Sequence, residues 1–332
     1  GWSLWLDKEA SWQNYRLYLP HEITDLSLLP VNVPTGGWQT LSHNPDAVPV
    51  EVPGTVEEYL TVTDNPRPEN FRGVSWWYRK ITIPADQQKK RFIIYFESVR
   101  MRAEVYLDGK LVAYDLIGET PFHVDITDEA KPGNEQLLAI RVTNPGGNFH
   151  WQDFDIMKWG EYNIPPSRSF TGIIGRVKLE SVNPVFISDI YMQNTPELTK
   201  VNAILSFTNE TSSSVKQDVE LIVNEKGNPD KVVFQQTLKA ISFPAGNHEV
   251  TIPVNVPDAK LWDLSTPELY TCNVLIKKGK KTLDQDKKDF GFRWFTVDGI
   301  GKDAVLRLNG RRIMLRSAIS WGYFPVTGLI AT

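Results

Sequence analysis

Short strand-like runs separated by turn residues recur along the chain, and this pattern limits the fold more than any other feature. Within the runs apolar and polar residues alternate with a period of two, whereas the 3.6-residue period of amphipathic helices is nearly absent. Residues 103–107, the pair Asp108-Gly109 and residues 110–113 together are typical of a two-residue β-hairpin. Many short strands of this kind predict an all-β protein built from β-sandwiches or jelly rolls.

Two changes in strand spacing divide the 332 residues, which are too many for one small domain. A boundary near Asn183-Pro184 ends a predicted jelly-roll domain, 1–183. After it, about seven strands in roughly 110 residues predict an immunoglobulin-like β-sandwich over 184–294. The tail, 295–332, is too short to be a domain. It is either the first part of something larger or a strand pair that closes the preceding sandwich.

Charge and hydropathy exclude two classes of partner. The formal net charge is -4, and Lys and Arg are scattered instead of forming the basic face that nucleic-acid binding requires. No stretch approaches the roughly 18 consecutive apolar residues of a membrane-spanning helix. We therefore expect neither nucleic acid nor a membrane as a partner.

The residues that usually carry chemistry do not form a recognisable catalytic set. The five His are dispersed without metal-ligand spacing, and Cys272 is the only cysteine. No nucleophile elbow and no phosphate-binding glycine loop occur. We expect no cofactor, no metal and no complete catalytic site, with Cys272 as a buried, inert thiol.

The first residues bear on localisation. The chain begins Gly1-Trp2, without an initiator Met or an apolar signal region, which leaves a removed signal peptide open. A single cysteine allows no intrachain disulfide, so redox chemistry does not identify the compartment. A periplasmic or secreted location is favoured over a cytoplasmic one.

Several motifs occur in a fixed order over nearly the whole chain, and together they resemble glycoside hydrolase family 2. They are a Trp-Tyr-Arg strand that ends in proline (74–84), F-x-x-V followed by A-x-V-x-L-D-G (96–109), T-P-F-x-x-D-I-T (120–127), T-G-I-I-G-R-V (171–177), L-W-x-x-x-x-P-x-L-Y (261–270), F-G-F-R (290–293) and L-N-G (308–310). The sequence departs from the family after that last turn. Arg316-Ser317-Ala318 stands where many members continue R-G-x-N-x-H.

The resemblance implies a sugar-binding-type jelly roll, an immunoglobulin-like sandwich and then a (β/α)8 barrel. Such a barrel takes about 250 residues, so 295–332 would supply only its entry. Family members are retaining enzymes that use two Glu, an acid/base and a nucleophile, with carboxyl groups about 5 Å apart. Both would follow Thr332, so the chain itself is expected to be inactive. The implied parent is an exo-acting β-glycosidase with a carbohydrate substrate, and a homo-oligomeric parent is allowed for.

A polar and aromatic stretch, residues 148–170, is the candidate sugar-binding segment, because long irregular loops are often functional. In the family, a loop just before the T-G-I motif reaches the terminal sugar. By that resemblance Asp153 or Asp155 would accept hydrogen bonds from sugar hydroxyl groups, and Trp151 or Trp159 would stack on the sugar ring. The alternative is a packing loop whose charges are simply solvated.

Three functions remain open from the sequence. The first is the non-catalytic front part of a β-glycosidase, with β-galactosidase, β-glucuronidase and β-mannosidase as candidates in that order. The second is a stand-alone carbohydrate-binding module, since a jelly roll with exposed aromatic residues binds glycans unaided. The third is a purely structural or adhesive pair of sandwiches.

Overall fold

The computed structural model describes residues 1–11, 25–26, 29–60, 71, 73–100, 102–115, 120–144, 157–159, 162–164 and 171–317. The chain forms two compact units, unit 1 (Gly1–Ser181) and unit 2 (Val182–Ala318). Strands and turns make up nearly all of both units, and the described ranges contain a single α-helix of four residues. The predicted all-β class is confirmed.

Unit 1 is a sandwich of antiparallel strands. Its elements are β1 (Trp2–Asp7), β2 (Val48–Val50), β3 (Gly54–Thr55), α1 (Val56–Tyr59), β4 (Gly73–Thr82), β5 (Arg91–Phe96), β6 (Arg102–Leu107), β7 (Lys110–Asp115), β8 (Phe122–Asp125), β9 (Glu135–Asn144), β10 (Met157–Trp159), β11 (Tyr162–Ile164), β12 (Gly172–Ile173) and β13 (Val177–Val182), with 3-10 helices at Trp38–Ser42 and Ala85–Gln87. A six-stranded sheet has the order β2-β1-β4-β9-β6-β7, and a three-stranded sheet has the order β13-β5-β8. β12 pairs with β3, and β10 pairs with β11.

Both faces of the six-stranded sheet are covered. On one face Trp77 and Ile140 are cross-strand neighbours and pack with the apolar residues of the three-stranded sheet. On the other face Trp76 and Tyr106 pack beneath the segment 29–47, which we call the strap. Because neither face meets water, all six residues of β6 are buried, and the strand loses the alternation expected of a half-exposed sheet.

Unit 2 is a seven-stranded sandwich, as the strand spacing predicts. Its strands are β14 (Val185–Asn194), β15 (Lys200–Asn209), β16 (Val215–Glu225), β17 (Asn228–Phe243), β18 (Gly246–Asn255), β19 (Tyr270–Lys278) and β20 (Lys281–Phe290). They form a three-stranded sheet, β14-β15-β18, and a four-stranded sheet, β17-β16-β19-β20. Between the sheets lie alternate residues such as Phe207, Leu221 and Val274. Cys272 belongs to the same core, where burial raises the pKa of its thiol to about 12 and keeps it inert at neutral pH.

The tail of unit 2 forms a small sheet of its own. It consists of β21 (Phe295–Asp298), β22 (Val305–Leu308) and β23 (Arg311–Arg312), with a 3-10 helix at Gly301–Asp303. The Asn309-Gly310 turn joins the last two strands, and both residues have the positive φ that this hairpin type requires. The last strand of this sheet ends at Arg312.

Candidate functional site

The four side chains predicted to bind sugar belong to a segment that lies mostly outside the described residues. Asp153, Asp155 and Trp151 lie outside the described residues. Trp159 is placed through its main chain only, as the last residue of β10 opposite Tyr162 of β11. The grouping of these four around a sugar therefore stays a prediction.

The point where the candidate segment rejoins the sandwich is described in detail. Thr171 is fully buried, and each of its polar groups has a partner from another part of unit 1. Its main-chain N–H donates to Glu57 Oε2 (3.2 Å), and its carbonyl oxygen accepts from the Val56 N–H (2.8 Å). Its hydroxyl group donates to the carbonyl oxygen of Arg100 (2.9 Å). We call this set of three bonds the Thr171 clamp.

Helix α1 supplies two of the three partners, and the local sequence explains its position. The Thr55 side chain accepts the N–H of Glu58 (3.2 Å), which is the N-cap bond of a Thr-x-x-Glu pattern. Capping at Thr55 starts the helix at Val56 and leaves the Val56 N–H free of helical bonding. The first turn of α1 therefore presents a main-chain donor and the Glu57 carboxyl group to Thr171.

Glu57 is a buried carboxyl group, with 6% of the residue exposed. Its Oε1 atom is buried without a hydrogen-bond partner. Burial raises the pKa of Glu57 to about 7, against the opposing effects of main-chain N–H groups and the positive charge of Arg100. No motif in the sequence singles out Glu57 as a functional residue. The available signal was the acidic pair at the start of a helix, which ordinarily marks an exposed first turn.

The T-G-I-I-G-R-V motif, which begins at Thr171, also fixes the packing of the residues that follow. A Cβ atom at Gly172, where φ is +154°, would lie 2.3 Å from the carbonyl oxygen of Gly54 in the paired strand β3. Arg176 then makes a two-pronged ion pair with Glu97 (3.0 and 3.1 Å), which lowers the pKa of the Glu97 carboxyl group to about 2. The motif thus marks the close packing of main chains around β12, at one edge of the candidate segment.

A buried polar network holds the strap against the six-stranded sheet. Arg141 donates to Glu104 Oε1 (2.9 Å) and to the hydroxyl oxygen of Thr143 (2.9 Å). Glu104 Oε2 accepts from the Tyr106 hydroxyl group (2.6 Å) and from Nδ2 of Asn32 in the strap (2.9 Å). Burial, followed by the charge of Glu104, raises the pKa of Tyr106, which stays a neutral donor. The sequence signal was a charged residue in the middle of an apolar strand.

The strap removes one surface on which unit 1 could stack sugars. Trp76 lies beneath it, and Trp77 lies on the opposite face in the core between the sheets; both are fully buried. Among the aromatic side chains whose exposure is described, which leaves out Trp159 and Tyr162, Tyr191 and Phe295 are the exposed ones, and both belong to unit 2. Those described side chains of unit 1 therefore offer no exposed aromatic platform for a sugar ring.

A groove of about 970 Å³ opens in unit 1 between the strap, the start of β7 and the turn after β8. Two of its carboxylates are paired with basic residues, Asp125 with Arg91 and Glu129 with Lys110. None of its described lining residues is aromatic. The groove is thus a mixed surface lined by four acidic and two basic side chains.

Two further features concern metals and membranes. Within the described ranges, no group of three or more His, Cys, Asp or Glu side chains is placed to hold a metal ion. No helix in the same ranges is long and apolar enough to cross a membrane.

Two family models match consecutive parts of the chain. Residues 31–164 match the sugar-binding domain of the glycosyl hydrolases of family 2, and residues 185–293 match a second domain of the same family. The first match falls within unit 1 and the second within unit 2.

The similar proteins are much longer than this chain. A β-glucuronidase of Formosa agariphila is 26% identical over 267 residues, covering 77% of this chain and 26% of the relative. A β-galactosidase of Thermoanaerobacter pseudethanolicus is 27% identical over 261 residues, covering 78% of this chain and 33% of the relative. The chain thus spans about a quarter to a third of these proteins.

Solved structures share the fold. The crystal structure of a Bacteroides uniformis β-glucuronidase superposes with a TM-score of 0.68 at 21% identity, covering 100% of this chain and 36% of that one. A family 2 member from Bacteroides cellulosilyticus gives a TM-score of 0.66 at 20% identity, covering 81% of this chain and 35% of that one. At such identities the likeness concerns architecture.

Proposed function

The chain belongs to the glycosyl hydrolases of family 2, and we propose that it is the non-catalytic front part of a retaining exo-β-glycosidase. The observation that carries this proposal is the order of the two family matches, a sugar-binding domain followed by a second family 2 domain. In the proposed protein, 1–183 is a jelly roll, 184–294 is an immunoglobulin-like sandwich, and 295–332 leads into a catalytic barrel.

Exposed apolar side chains in the tail favour the proposal that a catalytic barrel packs against it. Phe295 and Val297 are about half exposed on β21, and Met314 and Leu315 are more than 60% exposed just after β23. Apolar side chains gathered in one short segment usually mark a surface that another part of a protein covers. We propose that a barrel following this segment covers them.

For the substrate we propose a terminal β-glycoside of the glucuronide or galactoside type. β-Glucuronidases are prominent among the similar proteins and solved structures, which favours the glucuronide. The galactoside, which the sequence led us to expect first, becomes the second candidate, and the similarity to β-galactosidases supports it. The segment 148–170 would contribute Asp153 or Asp155 as acceptors for sugar hydroxyl groups, with Trp151 or Trp159 against the ring.

The proposal assigns the acid/base and nucleophile Glu residues to the barrel. Retaining hydrolysis requires two carboxyl groups about 5 Å apart across the glycosidic bond. Glu57, the described carboxyl group with the most raised pKa, is enclosed in unit 1 and bonded to the main chain. The 332 residues alone are therefore expected to be inactive.

The test compares the complete reading frame with the 332-residue chain on aryl β-glucuronide, β-galactoside and β-mannoside. We expect the complete protein to hydrolyse at least one of them with retention of configuration. The chain alone should match a heat-killed control. Turnover by the chain alone, or inactivity of the complete protein on all three substrates, would refute the proposal. Tight binding of a glycan array by the chain alone would instead favour a stand-alone carbohydrate-binding module.

A second experiment addresses the candidate segment in the complete protein. Asp153→Ala and Asp155→Ala are each expected to raise KM about tenfold or more, because a sugar hydroxyl group loses a charged acceptor. Asp189→Ala, an exposed carboxylate in unit 2, serves as the matched control and should leave KM unchanged. Unchanged KM in both segment variants would mean that 148–170 is only a packing loop.

A further inference from the structure

We propose that Glu57 is a positioning residue that fixes the main chain at Thr171, where the candidate sugar-binding segment rejoins the sandwich. Its consequence at a sugar site rests on the proposed function. The hold itself belongs to the described structure and can be measured without a substrate.

The composition of the Thr171 clamp supports a specific role for this side chain. Two of the three bonds involve main-chain atoms of Val56 and Arg100, which almost any sequence would supply at those positions. Glu57 is the only partner in the clamp that contributes a side chain. Burying a carboxyl group is unfavourable, and an apolar residue of similar size would avoid this penalty. The hydrogen bond to Thr171 is the described interaction that offsets it.

The surroundings of Glu57 favour its neutral form. The groups acting on it are the main-chain N–H groups of Glu57, Phe71 and Thr171, and the positive charge of Arg100. All of these favour the carboxylate, but burial outweighs them and brings the pKa of Glu57 to about 7. Thr171 is the donor that meets hydrogen-bond geometry at Oε2, and Oε1 has none, so an ionised Glu57 would keep one buried oxygen without a direct donor. A neutral carboxyl group still accepts the Thr171 N–H through one oxygen.

Proton linkage then gives the clamp a pH dependence with a definite sign. Opening the clamp exposes Glu57 to water and returns its pKa from about 7 towards 4.5. Because the closed form has the higher pKa, the full hold is present below about pH 4.5. This stabilisation of the closed form decreases progressively as the pH rises from 4.5 through 7. Above that range the opening equilibrium no longer changes with pH. The opening equilibrium constant should increase on the order of a hundredfold across this range.

The experiment measures hydrogen exchange at the Thr171 amide in the 332-residue chain from pH 4.5 to 8, corrected for the intrinsic exchange rate. In the unmodified protein we expect protection to fall as the pH rises, with the steepest change between pH 5 and 7. Glu57→Gln keeps an acceptor but cannot ionise, so its profile should be flat. Glu57→Met removes the acceptor and should lower protection at pH 5 about tenfold. Glu58→Gln, a half-buried carboxyl group of the same helix, is the control and should follow the unmodified profile.

Three results would overturn the proposal: a flat profile in the unmodified protein, a pH-dependent profile in Glu57→Gln, or unchanged protection in a folded Glu57→Met variant. If Glu57→Met does not fold, the first two comparisons still decide. In the complete enzyme, Glu57→Met should raise KM while Glu57→Gln restores it. If exchange responds but KM does not, the hold on Thr171 stands and the sugar-binding role of the segment fails.

Discussion

At the scale of single residues, two ion pairs of unit 1, Glu104–Arg141 and Glu97–Arg176, differ in how far they are exposed to water. Glu104 and Arg141 have side chains that are 4% and 2% exposed, and polar neighbours satisfy both. Glu97 and Arg176 are 38% and 65% exposed, so water screens their attraction. A buried pair is expensive to form but far more expensive to break, because the remaining partner is left charged in the interior.

We therefore expect Arg141→Met to lower the free energy of unfolding of unit 1 by about 3 kcal/mol or more. The substitution leaves the Glu104 carboxylate buried with only the Tyr106 and Asn32 donors. Urea unfolding followed by tryptophan fluorescence measures the change. Arg176→Met is the matched control, since Glu97 stays hydrated, and it should have a much smaller effect. Equal effects of the two substitutions would show that burial does not set the strength of these pairs.

At the scale of elements, local sequence patterns predicted the turns and strands correctly, whereas the contacts between distant segments could not be predicted from the sequence. The Asp108-Gly109 hairpin follows from its two residues, both of which adopt positive φ. The strands of unit 2 follow from alternation, because one face of each sheet is exposed to water. The strap could not be inferred, since its hydrogen bonds to β6 join residues 72 and 74 positions apart. The Thr171 clamp was hidden for the same reason, because Glu57 and Thr171 are 114 positions apart.

The pairing of β3 with β12 provides a test at this scale. Gly172→Ala should destabilise unit 1 by about 3 kcal/mol or more, because the new methyl group would meet Gly54, Thr55 and Trp77 at 2.3 to 3.1 Å. Gly227→Ala, in the β16–β17 turn, is the control. It also has a positive φ, but no atom lies within 4 Å of its Cβ position. Only the backbone strain of about 1 kcal/mol is expected there. Similar losses in both variants would mean that close packing at β12 is not the reason for a glycine.

At the scale of the whole molecule, each unit has its own apolar core. The core of unit 2 is built from residues between Val185 and Phe292, including Phe207, Leu221 and Val274. The two cores of unit 1 lie on opposite faces of its six-stranded sheet. A seven-stranded sandwich of this length buries enough apolar surface to be stable alone. The family matches divide the chain in the same order, one model to each unit.

Independent cores predict independent unfolding. Residues 182–317 produced alone should unfold cooperatively, with a midpoint within about 3 °C of one of two transitions seen by calorimetry in the 332-residue chain. The Arg141→Met variant identifies the other transition, because Glu104 and Arg141 belong to unit 1 and their loss should move only its midpoint. Movement of both transitions in that variant, or a much lower midpoint for 182–317 alone, would contradict the prediction. Either result would mean that unit 2 depends on unit 1 for its native stability, and that the two matched family domains unfold as one cooperative unit.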